Sequence, residues 1–286
     1  VRVYLVANTY RPDAIKATSD AADWLTARNV TVGVDADTGR FVGLNVIPSP
    51  AFGEADLVVA FGGDGTLIRA AHLCAETGTP VLGVYYGRFG FVTQCTGEQL
   101  TECLEEFLAG KSRIESRMML QADLLRNGNA VASVVALNEV ALQRSVTARM
   151  MTFQVAVDGH VLTRYPADGV IVATPTGSTG YNLSAGGPIM DPTVQALVLT
   201  AIAPHTLNAR TMVLSADSEV RLNVQSDGDA VLSADGQSRL HLLSGDQVRV
   251  TRSRRVTNLV SVERDDFLIK LGQRLFGSPG LFGDPA

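Results

Sequence analysis

The hydrophobic pattern changes its period once along the chain, near residue 112, and that change limits the fold more than any single motif does. Before it, short apolar runs alternate with helical spacing. VRVYLVA at 1–7 precedes a helical stretch over 13–28 with Ile15, Ala22, Trp24 and Leu25 on one face. DLVVAF at 56–61 leads through GGDGT into a helix marked by Leu67, Ala70, Ala71 and Cys74. VLGVYY at 81–86 reads as a third strand. Leu100, Cys103, Leu104, Phe107 and Leu108 then recur at the helical i, i+3, i+4, i+7 and i+8 positions before Gly110. Alternation of this kind builds a parallel sheet covered by helices.

After residue 112 the period falls to two. MLQADLLR and AVASVVAL are joined by NGN, and FQVAVDGHVLTRY turns at DG. EVRLNV, AVLSAD, RLHLLSGDQVRVTR and TNLVSVE continue the alternation, which predicts an antiparallel β-sandwich. DDFLIKLGQRLF returns to helical spacing through Phe267, Leu268, Leu271 and Leu275, a face that a lone helix must bury, here against the first domain. The expected division is an α/β domain over 1–112, rejoined by the tail 264–286, and a β-sandwich domain over 113–263.

Length and charge narrow the function classes. A chain of 286 residues, 46% hydrophobic and 19% charged, has material for two cores, and none of its apolar runs approaches the roughly 20 residues that cross a bilayer. VRVYLVA lacks a basic flank and a cleavage-site pattern, so it reads as a first strand of a cytoplasmic protein. A net charge of −5 without a basic run gives no footprint for nucleic acid or a membrane surface, and Arg252–Arg255 reads as a solvated strand end. Cys74, Cys95 and Cys103 lack paired C-x-x-C spacing and are expected as free thiols, with Cys103 in a core; His72, His160, His205 and His241 stand singly, without metal-site spacing.

Two stretches are too rich in small polar residues for packing alone. In AFGGDGTLIRA, residues 60–70, consecutive glycines between a strand and a helix let backbone N–H groups approach a phosphate, and Thr66 is placed to cap the helix. The spacing fits neither the Walker loop nor the dinucleotide fingerprint. A carboxylate repels phosphate unless a metal or a reacting hydroxyl stands between them, so Asp64 suits a kinase; the plain alternative is a solvated turn residue. In DGVIVATPTGSTGYNLSAGGPIMDP, residues 168–192, Thr176, Ser178, Thr179, Asn182 and Ser184 supply small hydrogen-bonding groups and Tyr181 a flat face, which suits a nucleoside; a long polar loop is the alternative. Asn138 and Glu139 reach one ligand only if the strand ends there; in isolation Glu139 reads as a surface charge.

Together GGDGT at 62–66, NE at 138–139 and DG-x-x-x-x-TPTGSTGY-x-x-SAGGP at 168–188 resemble the NAD kinases in order and spacing, and the resemblance runs from the first strand through SADGQ at 233–237. It implies phosphorylation of the 2′-hydroxyl of the adenosine ribose of NAD, with ATP or polyphosphate as donor and Mg²⁺ or another divalent cation carried by the donor phosphates. It implies a Rossmann-like α/β domain followed by a β-sandwich with the substrate between them. Asp64 would contact the reacting hydroxyl as general base or positioning group, with Gly62, Gly63, Gly65 and Thr66 on the donor side. Asn138 and Glu139 would contact nucleoside and ribose. Thr176, Thr179, Gly180, Tyr181 and Ser184 would surround the adenine and nicotinamide ends, with Phe91 near the adenine and Asp235 near the nicotinamide. Asp168 and Ala203 would reach the dinucleotide across a subunit boundary of a homodimer or homotetramer.

The sequence departs from the common family pattern at Tyr85 or Tyr86, where an asparagine is usual, at Phe89, where a leucine is usual, and at Gly180, where an alanine is usual. The missing methyl at 180 either enlarges the adenine pocket or loosens the loop. Two rivals are a lipid kinase sharing the GGDGT turn and a catalytically silent dinucleotide sensor. The first has no greasy tunnel or basic amphipathic helix to dock on a membrane, and the intact Asp64, Asn138 and Glu139 count against the second.

Overall fold

A computed structural model describes residues 1–86, 90–93, 95–145, 151–224, 229–243, 245–261 and 266–276. The chain forms two compact units, Val1–Ser116 with the chain from Thr257 onward, and Arg117–Val256.

The first unit opens with β1 (Arg2–Ala7), α1 (Pro12–Thr26), β2 (Thr31–Val34), α2 (Ala36–Val42) and, after a 3₁₀ turn over Ser49–Glu54, β3 (Leu57–Gly62). It continues with α3 (Asp64–Cys74), β4 (Val81–Tyr85), the short β5 (Cys95–Thr96) and α4 (Leu100–Leu108). The strands pair in parallel in the order β2–β1–β3–β4–β5. Every residue of β3 is buried, as a parallel strand covered on both faces requires. Pro12 opens α1 at a position that needs no N–H, and the Asp35 side chain accepts the Thr38 N–H to start α2. Neither β2 nor α2 was expected: TVGV carries a glycine, and α2 is too short to show a period. The core joins Val3, Leu5, Leu57, Val59, Phe61, Leu82 and Val84 of the sheet to Ala14, Leu25, Cys103 and Leu104 of the helices.

The second unit is antiparallel. β6 (Arg113–Arg126) and β7 (Asn129–Ala136) form one hairpin, β8 (Glu139–Arg144) follows, and β9 (Met151–Val157) and β10 (His160–Ala167) form another. β11 (Gly169–Ala173), a 3₁₀ turn at Thr176–Thr179, α5 (Tyr181–Ser184), β12 (Ala196–Ile202), β13 (Met212–Ser215), β14 (Val220–Val224), β15 (Ala230–Ala234), β16 (Ser238–Leu242) and β17 (Gln247–Ser261) complete the series. One sheet runs β13–β12–β11–β8–β15–β16. The other layer includes β10, β9, β14 and the first half of β17 in that order. Alternate residues of the two layers, among them Phe153, Val155, Val220, Leu222, Val248 and Val250 against Val140, Leu142, Val170, Val172 and Leu232, share one core.

The turn chemistry anticipated at NG and DG is present, with both central residues at positive φ: Asn127 at 51° with Gly128 at 80°, and Asp158 at 49° with Gly159 at 82°. Arg252–Arg255 lies inside β17, so it is not a strand end, although Arg252 and Arg254 do face solvent.

The chain re-enters the first unit along β17, where Leu259 pairs in parallel with Val81, and ends its described part in α6 (Asp266–Phe276). The anticipated face of α6 is corrected at one position: Leu268 is 65% exposed, and the residue fully enclosed is Lys270. Phe89 and the side chain of Leu275 lie outside the described residues, as do residues 264, 265 and 277–286 of the anticipated tail. Among the described residues no helix is long and apolar enough to cross a membrane.

Candidate active site

In the first unit the polar cluster centres on Asp64, the first residue of α3. Its carboxylate grips the backbone of the segment beyond β4. Oδ2 accepts the Phe91 N–H at 2.8 Å, and Oδ1 accepts the N–H groups of Val92 and Thr93, each at 3.1 Å. The Thr93 hydroxyl adds a long contact to Oδ1 at 3.4 Å. Asp64 is therefore not a solvated turn residue. Gly90 makes the approach possible, because a Cβ there would stand 1.8 Å from Oδ1. On the far side, Lys270 Nζ donates to the Thr93 carbonyl at 2.7 Å, and the Arg274 guanidinium lies 4.8 Å from the centre of the Phe91 ring. Lys270 was missed by sequence reading. Its signal was its position on the inward stripe with Phe267 and Leu271, where a lysine needs a buried partner for its charge.

The GGDGT glycines differ in what they permit. A Cβ at Gly62 would meet Thr66 Oγ1 at 2.4 Å, whereas Gly63 and Gly65 have open space. Thr66 is not the helix cap. It lies in the first turn, its N–H bonded to Gly63 O at 3.0 Å, with Gly63 in the cap position and no side-chain cap. Its side chain is buried against Gly62. What remains is a helix N-terminus, with the first-turn amides that no helix satisfies internally, fronted by glycines that leave the main chain bare.

In the second unit the site is built around the turn after β15. Asp235, held at φ 50° and followed by Gly236 at 66°, accepts the N–H groups of Leu137, Asn138 and Glu139 at 2.7, 2.8 and 3.0 Å. β7 ends at Ala136 and β8 begins at Glu139, so the strand break that lets adjacent residues 138 and 139 serve one ligand is present. The 174–180 segment is laid on this break. Thr174 Oγ1 donates to Leu137 O at 2.6 Å and accepts the Gly177 N–H at 3.0 Å, and a Cβ at Gly177 would stand 2.0 Å from Asn138 O.

The outcome is a cluster of unspent hydrogen-bonding atoms. Asn138 Oδ1, Glu139 Oε2 and Thr176 Oγ1 are buried without a partner, three of the five such side-chain atoms among the described residues. Buried polar atoms are costly to leave unpaired, so their concentration here points to a ligand that brings its own donors and acceptors. Ser178 and Asn182, expected to face the nucleoside, are turned inward. Ser178 Oγ accepts the Met190 N–H at 2.9 Å, and Asn182 bonds Ser178 O and Pro188 O while accepting the Thr200 hydroxyl at 2.7 Å. They hold the segment in compact helical turns, where a long polar loop had been the alternative.

Glu139 is not a surface charge. Burial, with the neighbouring Asp235 charge as a second cause, pushes its carboxyl up to about 7, against a smaller opposing effect of the Tyr181 N–H. The folded protein therefore binds a proton more tightly than the unfolded chain. The stabilisation from protonated Glu139 is complete below pH 4.5, the unperturbed value, and is lost as pH rises to about 7. Denaturation measured across this window should show wild type losing stability relative to Glu139→Gln; parallel curves would contradict the burial of this carboxyl.

Around this core, Tyr181 OH pairs with Gln143 Nε2 at 2.8 Å, while Thr179 is half-buried and Ser184 exposed. Gly180 has φ −89° and ψ −133°; a methyl there would stand 3.0 Å from Glu139 Oε2 and 3.4 Å from Asn138 Nδ2, and would crowd the unpartnered oxygen. Asp168 is bound to Arg144, Nε to Oδ1 at 2.7 Å, and its N–H reaches Ile202 O at 3.0 Å, which brings it beside exposed Ala203 at φ 43°. Arg144 and Gln143 carried no sequence signal. Among the described residues no group of three or more His, Cys, Asp or Glu side chains is placed to hold a metal ion.

The chain matches the family models described as ATP-NAD kinase N-terminal domain over residues 3–112 and ATP-NAD kinase C-terminal domain over residues 137–262. It is 43% identical over 279 residues to an NAD kinase of Symbiobacterium thermophilum, covering 96% of this chain and 98% of that one. It is 39% identical over 280 residues to an NAD kinase of Moorella thermoacetica, covering 96% and 89%. Among solved structures, yeast NADH kinase complexed with NADH matches with a TM-score of 0.90 at 28% identity, covering 100% of this chain and 90% of that one. An NAD kinase from Archaeoglobus fulgidus in complex with ATP matches with a TM-score of 0.78 at 26% identity, covering 96% and 98%.

Proposed function

Because the chain belongs to the NAD kinase family and is an NAD kinase, making NADP from NAD and ATP, we propose that Asp64 Oδ2 receives and orients the ribose 2′-hydroxyl that is phosphorylated. The observation that carries this reading is the uneven loading of the Asp64 carboxylate. Among the described residues, Oδ1 accepts two N–H groups and a weak hydroxyl contact, whereas Oδ2 accepts one N–H and keeps an open acceptor site. Phosphoryl transfer needs the attacking hydroxyl held in line with the donor, and a carboxylate clamped by three amides does that without moving.

The donor phosphates lie at the N-terminus of α3, where Gly63 and Gly65 let the main chain come close. With the remaining acceptor of Asp64 given to the ribose hydroxyl, the donor would be taken as its magnesium complex, in which the cation's positive charge would offset that of the transferred group. Asn138, Glu139 and Thr176 receive the nucleoside, with Thr179, Gly180, Tyr181 and Ser184 around it. In this reading Ala203 and Asp168 serve a neighbouring subunit of a homodimer or homotetramer, and Asp235 acts through the backbone of residues 137–139. Sedimentation showing a monomer would remove the subunit part, and cell fractionation tests the cytoplasmic location.

The test of the donor arrangement is cation removal. NADP formation from NAD and ATP should stop when a chelator removes divalent cations and return when Mg²⁺ is restored. Undiminished NADP formation in the presence of the chelator would refute the MgATP arrangement. Replacing ATP by polyphosphate in the same assay decides the donor.

A further inference from the structure

The first unit holds two thiols in contact, and nothing in the phosphoryl transfer uses them. Cys95, the first residue of β5, and Cys103, on α4, have their Sγ atoms 3.1 Å apart, and both side chains are enclosed in the core. A disulfide has its sulfurs about 2.05 Å apart, so bridging them calls for an approach of roughly 1 Å. The connection between the two residues is already braced: Thr96 N–H donates to Gln99 Oε1 and Gln99 N–H to Thr96 Oγ1, each at 3.1 Å. Cys95 also stands two residues beyond the last backbone amide gripped by Asp64. Thr93, two residues upstream, gives its N–H to Asp64 and its carbonyl to Lys270.

We propose that Cys95 and Cys103 form a reversible dithiol–disulfide pair, oxidised by peroxide, whose closure displaces the Thr93 segment and so lowers the rate at which Asp64 supports phosphoryl transfer. Cys95 is fully enclosed and its Sγ donates to the Thr96 carbonyl at 3.1 Å, whereas Cys103 keeps a small exposure of 4%, so Cys103 is the first nucleophile. Its thiolate attacks hydrogen peroxide, breaking the O–O bond to give Cys103 sulfenic acid and hydroxide. Cys95 Sγ then attacks the sulfenic sulfur, the S–S bond forms and the hydroxyl leaves. The two thiol protons end in two waters, so one peroxide is reduced for each dithiol oxidised. A cytoplasmic disulfide of this kind is transient, reopened by a thiol reductant. Cys74 is the internal control: it is as deeply buried, with burial pushing its thiol up to about 12, but it lies apart from this pair and has no second thiol beside it to close a disulfide.

The experiment oxidises the full-length wild-type enzyme with hydrogen peroxide, alkylates it and digests it with a glutamate-specific protease, since Glu98 and Glu102 separate the two cysteines. The expected result is a Cys95–Cys103 linked peptide with Cys74 alkylated. It is accompanied by a fall in kcat of about tenfold with KM for NAD unchanged, since misplacing a catalytic group by about 1 Å costs on the order of tenfold to a hundredfold. Dithiothreitol should restore kcat, and Cys103→Ala, or Cys95→Ala should that variant fold better, should keep its rate under peroxide. Alkylation of both cysteines after oxidation, or a linked peptide with kcat unchanged, would overturn the proposal. The linkage is read by mass, so its failure is separate from any failure of the assay.

Discussion

Asp64→Asn is expected to lower kcat for NADP formation by about a thousandfold while leaving NAD affinity within about tenfold, or ~1.4 kcal/mol. The two atoms at the end of the new side chain are no longer equivalent. If the asparagine oxygen continues to accept from Val92 and Thr93, its amide nitrogen takes the place of Oδ2 and meets the Phe91 N–H donor to donor. That position also loses the acceptor proposed for the ribose hydroxyl. An unpaired amide costs about 1–3 kcal/mol locally, which the first unit can absorb, whereas the transition state loses its positioning group outright. Rates and calorimetric NAD titration together separate the two effects. A parallel collapse of both would mean that Asp64 is only a brace for residues 91–93.

Asp235→Ala should be the most damaging change in the second unit, lowering stability by about 3–5 kcal/mol and weakening NAD binding at least tenfold. Alanine at φ 50° is strained, and the N–H groups of Leu137, Asn138 and Glu139 lose their shared acceptor. Asn138 and Glu139 then have no fixed direction. Asp235→Asn tolerates the backbone and keeps one oxygen, so about half of the stability should return. Urea denaturation and NAD titration check both variants. An Asp235→Ala protein of wild-type stability would contradict the role given to this turn.

The parts of this molecule that were legible in the sequence are those set by local chemistry. The change of period at residue 112 reports how side chains alternate, and NG and DG report backbones held at positive φ. The GGDGT turn was recognisable for the same reason, as glycines mark where a strand enters a helix too tightly for side chains. What the carboxylate does there was not legible. Its partners, the amides of residues 91–93, lie 27 to 29 residues away and carry no side-chain signature. The same limit hid Lys270, which meets Thr93 O across 177 residues and looks in sequence like one charge on an amphipathic helix. Ser178 and Asn182 were misread because a small polar residue can serve a ligand or hold its own loop, and only the positions of Met190 and Thr200 decide between the two. Glu139 was misread as exposed because its burial comes from the 174–180 segment laid over it, and spacing along the chain does not encode that contact.

The measurement that bears most directly on this account is NADP formation from NAD and MgATP by wild type and Asp64→Asn, with NAD binding to both determined by calorimetry. The account predicts NADP from wild type, about a thousandfold less from the variant, and affinities within about tenfold of each other. NADP formed by Asp64→Asn at the wild-type rate would contradict it.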